Sequence, residues 1–206
     1  MPVGNRLRLP ASLRCLAVAS AAAVLPFVAG SGCTTIVQAR TDLVWREYAG
    51  YERVKHHCYL VVDDSVRSYT ARGAYGFMEF RVLFGESLAS CLPGALSKVF
   101  DRVTVVSSAA EAEAGRADAV VLRISNIRGR LTPRTTSFSE AAARVFFRAE
   151  LRSKHTKEPL TKEFRGEGRS ISDSAWPQEV ANGAVEAAGN ALTKFISANR
   201  KSLTGG

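Results

Sequence analysis

The chain has 206 residues, 46% of them hydrophobic, and carries 28 Lys and Arg against 19 Asp and Glu, a net charge of +9. That length excludes a string of full-sized domains and leaves one core of ordinary size plus flanking segments. A positive balance fits attraction to anionic surfaces as readily as it fits an arginine-rich composition.

Arg6, Arg8 and Arg14 make a basic start, and no acid occurs before Asp42. Leu16 to Val28 is almost wholly apolar, and Gly30-Ser31-Gly32-Cys33 follows. Basic, apolar, then small residues is the order of an export signal that is removed. A spanning helix needs roughly 20 apolar residues, and this run is shorter and contains Pro26. A cysteine directly after small residues resembles a bacterial lipoprotein signal, in which that cysteine is acylated, palmitate included, and becomes the first mature residue. The resemblance implies a signal peptide over residues 1–32, lipid on Cys33 and membrane attachment through it. Thr34, where aspartate would retain such a protein at the inner membrane, implies an outer-membrane lipoprotein facing the periplasm. Gly30 stands where the family carries an aliphatic residue, so cleavage after Gly30, releasing a soluble periplasmic protein, is the competing outcome. Removing residues 1–32 takes away three arginines and no acid, lowering the charge to +6.

Residues 33–56 lack clean periodicity and read as a tether, ahead of a single domain over 57–200 and a polar tail over 201–206. Cys58 to Val62 is a short apolar run closed by Asp63-Asp64-Ser65, a strand with a turn signal. Residues 66–84 mix Tyr69, Tyr75, Phe77, Phe80 and Phe84 with glycines and read as an extended loop or loose hairpin. Those aromatics either plug one end of the core or form an edge that docks a partner. From Gly85, the helical spacing of Leu88, Leu92, Leu96, Val99 and Phe100 predicts a helix that Pro93-Gly94 interrupts. Val103–Val106 and Asp118–Ile127 read as strands, and 128–139 as a loop.

In Ala141–Arg152, Ala143, Val145, Phe147, Ala149 and Leu151 alternate with Arg144, Phe146, Arg148, Glu150 and Arg152, and a second strand follows from Leu160 to about Arg169. A turn at Thr156–Pro159 would set Arg152 opposite Glu163, Glu150 opposite Arg165 and Arg148 opposite Glu167. Leu151 would then meet Phe164, and Phe147 would lie over Gly168. Ser172-Asp173-Ser174 offers caps for a last helix with Pro177 near its first turn. Its apolar stripe is Val180, Val185, Ala188, Leu192, Phe195 and Ile196. The expected fold is α+β, two main helices packed on one face of a four- to five-stranded, largely antiparallel sheet.

Gly85-Glu86-Ser87-Leu88 through Val99-Phe100-Asp101, then Val103-Thr104-Val105-Val106, resembles a helix-to-strand passage of small bacterial envelope lipoproteins. These are the group typified by the lipopolysaccharide-assembly lipoprotein and the YajG-like lipoproteins, and the Ala-rich final helix is similar too. The likeness spans about residues 57–200. It implies helices on one sheet face and a non-enzymatic role as scaffold or auxiliary component in envelope assembly or transport, with an envelope protein as partner.

With Cys15 in the signal and Cys33 lipidated, Cys58 and Cys91 remain, a candidate disulfide in an oxidising compartment or two buried hydrophobes. Catalytic signatures are missing: no Gly-x-Ser-x-Gly, no His-Glu-x-x-His, no Cys-x-x-Cys and no phosphate-binding glycine loop. Adjacent His56 and His57 on a strand point to opposite faces and cannot readily chelate one metal. No catalytic residue, metal or cofactor is therefore expected. An envelope enzyme with an unrecognised site around His57, Asp63 and Asp64 is the alternative from another class. Arg123 and Arg128, with Arg130, Arg144 and Arg148, would form a basic stripe on the exposed sheet face. Only Phe146 is interleaved there, so nucleic acid is a poor partner and anionic lipid or lipopolysaccharide a better one.

Overall fold

The computed structural model describes residues 34–40, 42, 43, 45, 53–75, 78–113, 118–132, 140–171 and 176–205. The expected signal segment, Cys33, Phe77 and the Ser172–Ser174 caps lie outside them. Among the described residues, eight strands form two sheets: β1 (Thr34–Val37), β2 (Val54–Val62), β3 (Ala71–Tyr75), β4 (Met78–Val82), β5 (Phe100–Val106), β6 (Val120–Thr132), β7 (Ala141–Arg152) and β8 (Leu160–Ser170). The helices are α1 (Asp64–Arg67), α2 (Phe84–Leu96), α3 (Ala109–Glu113), α4 (Trp176–Ala198) and α5 (Arg200–Thr204).

The larger sheet has the order β5-β2-β6-β7-β8. β2 runs parallel to both β5 and β6, whereas β6, β7 and β8 are antiparallel. The sheet is thus mixed, not largely antiparallel. The run Cys58–Val62 explains why: Cys58, Leu60, Val61 and Val62 are all buried, the mark of a strand covered on both faces rather than one with a wet side. Cys58, Leu60 and Val62 face the main core with α2 and α4, while Val61 packs with Val106 and Ala112 of α3 on the opposite side. The two long helices do share one face, as expected.

β1, β4 and β3 form a separate three-stranded sheet, β1 parallel to β4 and β4 antiparallel to β3. Residues 71–82 are therefore a true hairpin. The described part of the stretch read as a tether packs into the domain: Val37, Ala39 and Trp45 are buried, and the Trp45 ring fills the space beside Gly94 and Gly189. The stretch read as a polar tail contributes α5, pinned by fully buried Leu203.

α2 ends at Leu96, so Phe100, counted on its stripe from the spacing, instead opens β5. β6 continues to Thr132 through residues expected to be a loop. It does so across a bulge between Ser125 and Arg128, where Asn126 adopts φ 51°, a conformation asparagine tolerates better than most residues. The bulge shifts the alternation, with Ile124 buried before it and Leu131 after it.

The β7–β8 pair has its apolar face inward as read, but the register differs by four residues. Arg148 faces Glu163, Arg144 faces Glu167, Phe147 faces Phe164 and Leu151 faces Leu160. Four is even, so every side chain keeps its face while its partner changes. The observed register sets Gly166 opposite Val145 and Gly168 opposite Ala143. Both glycines lie directly under α4: a Cβ on Gly166 would stand 1.8 Å from the Ala184 carbonyl oxygen, and one on Gly168 2.2 Å from that of Val180. Helix backbone rests on strand backbone there.

The Cys58–Cys91 bridge is not formed; both are free, buried thiols. Cys58 points from β2 into the core. Cys91, on α2, is turned towards the segment between β1 and β2, where its thiol donates to the Arg40 carbonyl at 3.1 Å.

Candidate functional site

Three surface regions gather charged side chains. The first is the outer face of β6–β8. Inward-facing Ala143, Val145, Phe147, Ala149 and Leu151 leave Arg144, Phe146, Arg148, Glu150 and Arg152 outward, and β8 adds Glu163, Arg165, Glu167 and Arg169. Register places Phe146 between Arg128 and Arg165, whose guanidinium carbons lie 5.9 and 5.7 Å from its ring centre. Such cation–π contacts contribute about 0.5–1 kcal/mol each at exposed sites. Glu167 accepts from Arg144 Nε at 2.9 Å, from Arg169 Nε at 2.8 Å and from Arg165. Hydrogen bonds from Arg144 and then Arg165 hold its carboxyl down at about 2, against desolvation, which raises it, and with a further hydrogen bond from Arg169. Arg128 pairs with Glu163. This face is largely a closed ladder of complementary charges.

The second region is an open cleft of about 320 Å³ between α3 and the β6–β7 edge. Its apolar lining includes Ala112, Ala119 and Val121, and its polar part includes Arg123, Glu150, Arg152 and Lys154. Each cation there is already matched: Arg123 with Asp63 at 2.8 Å, Arg152 with Glu150 at 2.6 Å, and Lys154 with Asp118. Asp63 raises the Arg123 pKa above its ordinary value, chiefly through that hydrogen bond. Exposed pairs of this kind contribute about 1 kcal/mol or less, so they can be exchanged for a ligand.

The third region lies at the opposite end of β2, where Arg53, Lys55 and His56 meet Asp101 of β5 and Arg200 and Lys201 of α5 around an open cleft of about 720 Å³. Among the described residues, cations outnumber the single acid here. Sequence reasoning missed it because its two halves fall in stretches read as tether and tail. Only the run of basic residues at 53–57 and at 200–201 hinted at it, and nothing local joins the two.

The residues singled out from the sequence do not converge. Arg123 and Arg128 share the outer sheet face, each with a carboxylate partner. Tyr69 is elsewhere, half-buried beside the core; its hydroxyl accepts from the Gly129 N–H at 2.7 Å and donates to the Gly129 carbonyl at 3.3 Å. Tyr75 ends β3. The two histidines diverge as strand alternation requires: His57 Nε2 lies 2.8 Å from the Thr104 hydroxyl, and His56 stacks near His155 at 6.3 Å. Among the described residues, no three His, Cys, Asp or Glu side chains are grouped so as to hold a metal ion.

No protein-family model matches the chain, and no curated protein matches it. Among solved structures, one similar chain is a minor lipoprotein from Acinetobacter baumannii, at 16% identity and a TM-score of 0.41, covering 71% of this chain and 96% of the other. Another is an uncharacterized protein at 12% identity and a TM-score of 0.33, covering 81% and 95% respectively. Likenesses this distant bear no functional weight. Among the described residues, no helix is long and apolar enough to cross a membrane.

Proposed function

We propose that this chain is an exported lipoprotein, held at a bacterial membrane by acyl chains on Cys33, whose α+β domain acts without catalysis in envelope assembly or transport. The observation that carries the reading is where the domain starts. The basic and apolar leader ends at Cys33, and Thr34 is already the first residue of β1, paired with Glu79 of β4. A single residue spans at most about 3.6 Å. Lipid on Cys33 would therefore hold the small sheet close to the bilayer surface with almost no slack, leaving the large sheet to face a partner. Stable attachment takes more than one acyl chain, since a single one binds only marginally. The outer membrane, suggested by Thr34, is the proposed site. The partner is an envelope protein or anionic envelope lipid meeting the outer sheet face through Arg123, Arg128 and their neighbours, whose ion pairs are weak enough to exchange.

The test is the intact mass of membrane-extracted mature protein beside a Cys33→Ala variant. A wild-type mass equal to residues 33–206 plus acyl groups, absent from the variant, supports the reading. A bare chain beginning near Ser31, recovered in the soluble fraction, refutes the anchor.

A further inference from the structure

We infer that the cleft between the start of β2, the start of β5 and α5 is a binding site for phosphate-bearing anions. Among the described residues, four permanent cations, Arg53, Lys55, Arg200 and Lys201, line it with His56, and Asp101 is the one acid. The cations of the α3 cleft are spent on Asp63, Asp118 and Glu150. Among the described residues, Arg53, Lys55 and Lys201 take part in no ion pair. Arg53, Lys55 and Lys201 therefore repel one another with little compensation, and the arrangement is relieved when an anion enters.

The walls are fixed before any ligand arrives. One end of the Arg53 guanidinium donates to the Ser97 carbonyl just past the end of α2, which orients the planar fork while leaving other N–H groups free to bind. The neighbouring backbone is tied down by Val54 N–H donating to the Val99 carbonyl at 2.7 Å. On the other side, Leu203 is fully buried and holds α5 against the domain, so that Arg200 and Lys201 face β2 from a rigid support. An oriented guanidinium beside two lysine point charges in an open concavity is the chemistry that recognises phosphate oxygens, which take bidentate N–H pairs and tolerate flexible ammonium groups around them.

The position of the cleft points to a soluble phosphate ester rather than to headgroups of the anchoring leaflet; that part rests on lipid attachment at Cys33. α4 begins beside the small sheet, where Trp176 lies 4.8 Å from Phe80, and its last turn leads into α5. At 1.5 Å per residue its 23 residues separate the two ends by on the order of 30 Å. Thr34 is at one end and the cleft at the other.

The experiment titrates inorganic pyrophosphate into the full mature chain at low ionic strength, and separately sediments the chain with phosphatidylglycerol vesicles. It uses wild type, a Lys55→Glu/Lys201→Glu variant, and an Arg40→Glu/Arg72→Glu control on exposed arginines away from both the cleft and the outer face. All four positions are exposed or nearly so, and unchanged thermal unfolding of each variant is checked first. The expected result is pyrophosphate binding that weakens at least about tenfold in the cleft variant and by no more than about twofold in the control. No pyrophosphate binding by wild type, or equal loss in both variants, overturns the site. Vesicle binding that depends on Lys55 and Lys201 without pyrophosphate binding overturns the soluble ligand and assigns the cleft to a bilayer. Because neither titration requires acylation, a failed anchor and a failed anion site give different results.

Discussion

Replacing Gly166 with alanine tests whether α4 truly rests on the backbone of β8. The added Cβ would stand 1.8 Å from the Ala184 carbonyl oxygen and 2.7 Å from the Ala188 nitrogen. An ordinary carbon–oxygen approach is about 3.3 Å, so strand and helix must part by roughly 1.5 Å. Both obstructing atoms are backbone, and no side chain can rotate to make room. A gap of even 0.5–1 Å forfeits about a quarter to a half of the dispersion at each contact it opens. The layer concerned holds Val145, Phe147, Phe164, Ala184 and Ala188, all buried. Overpacking of this kind costs about 1–3 kcal/mol or somewhat more, and the upper end applies where backbone itself must move. In a chain of this size about 3 kcal/mol lowers Tm by about 6–12 °C. The sign is as informative as the size, because an unstrained glycine-to-alanine change stabilises by about 0.4–1 kcal/mol through the unfolded chain. Gly73→Ala is the control: its nearest neighbour is the Leu131 side chain at 3.1 Å, which can yield. Thermal and urea unfolding followed by circular dichroism give both quantities. A Gly166→Ala protein at or above the wild-type Tm, or one less damaged than Gly73→Ala, would refute the packing argument.

Three further outcomes are expected. Tyr69→Phe leaves the Gly129 N–H without its 2.7 Å acceptor and should cost about 1–2 kcal/mol in urea unfolding; unchanged stability would show that the hydroxyl is not structural. Glu167, held at about 2 against its usual 4.5, favours the fold wherever the unfolded chain would also be ionised, so its contribution is complete above pH 4.5 and fades as pH falls towards 2. The stability difference between wild type and Glu167→Gln should therefore shrink across that window, and a difference independent of pH would contradict the arginine cluster. In a C15S/C33S chain, burial that pushes both remaining thiols up should leave Cys58 and Cys91 unreactive to a thiol reagent until guanidinium unfolds the protein. Prompt native labelling, or no thiols on unfolding, would count against two free buried cysteines.

Much of the fold was legible where one face of an element is dry and the other wet. β7 runs over the residues its alternation marked, Ala141–Arg152, and α2 and α4 lie where the helical spacing of Leu88 and Leu92, and of Val180 and Leu192, placed them. What escaped was information held between elements. The 153–159 connection carries no hairpin dipeptide to set register, and charge pairing alone favours the wrong one, with three complementary pairs against the two of the observed register. Gly166 and Gly168 decide between them, but only once α4 is in place above the strand. The continuation of β6 was hidden by one residue, Asn126, whose bulge breaks the alternation. The apolar run Cys58–Val62 marks a strand covered on both faces but does not name its parallel partners, and β1 is too short to show a period. The candidate sites follow the same rule. The outer-face ladder could be anticipated from strand alternation, whereas the basic cleft exists only because residues 53–56 and 200–204, far apart in the chain, meet in space.

The place of β2 between β5 and β6 also orders events in time. Its apolar residues, Cys58 to Val62, are made early, but one edge stays open until Phe100–Val106 is available and the other until Val120–Ile124 arrives. The hairpin β7–β8 and α4, by contrast, are consecutive and can dock on one another as a local unit. A chain delivered across a membrane from its N-terminus would thus present its most aggregation-prone strand first and its most self-sufficient unit last. Whatever escorts such a chain must shield Cys58–Val62 while the rest follows.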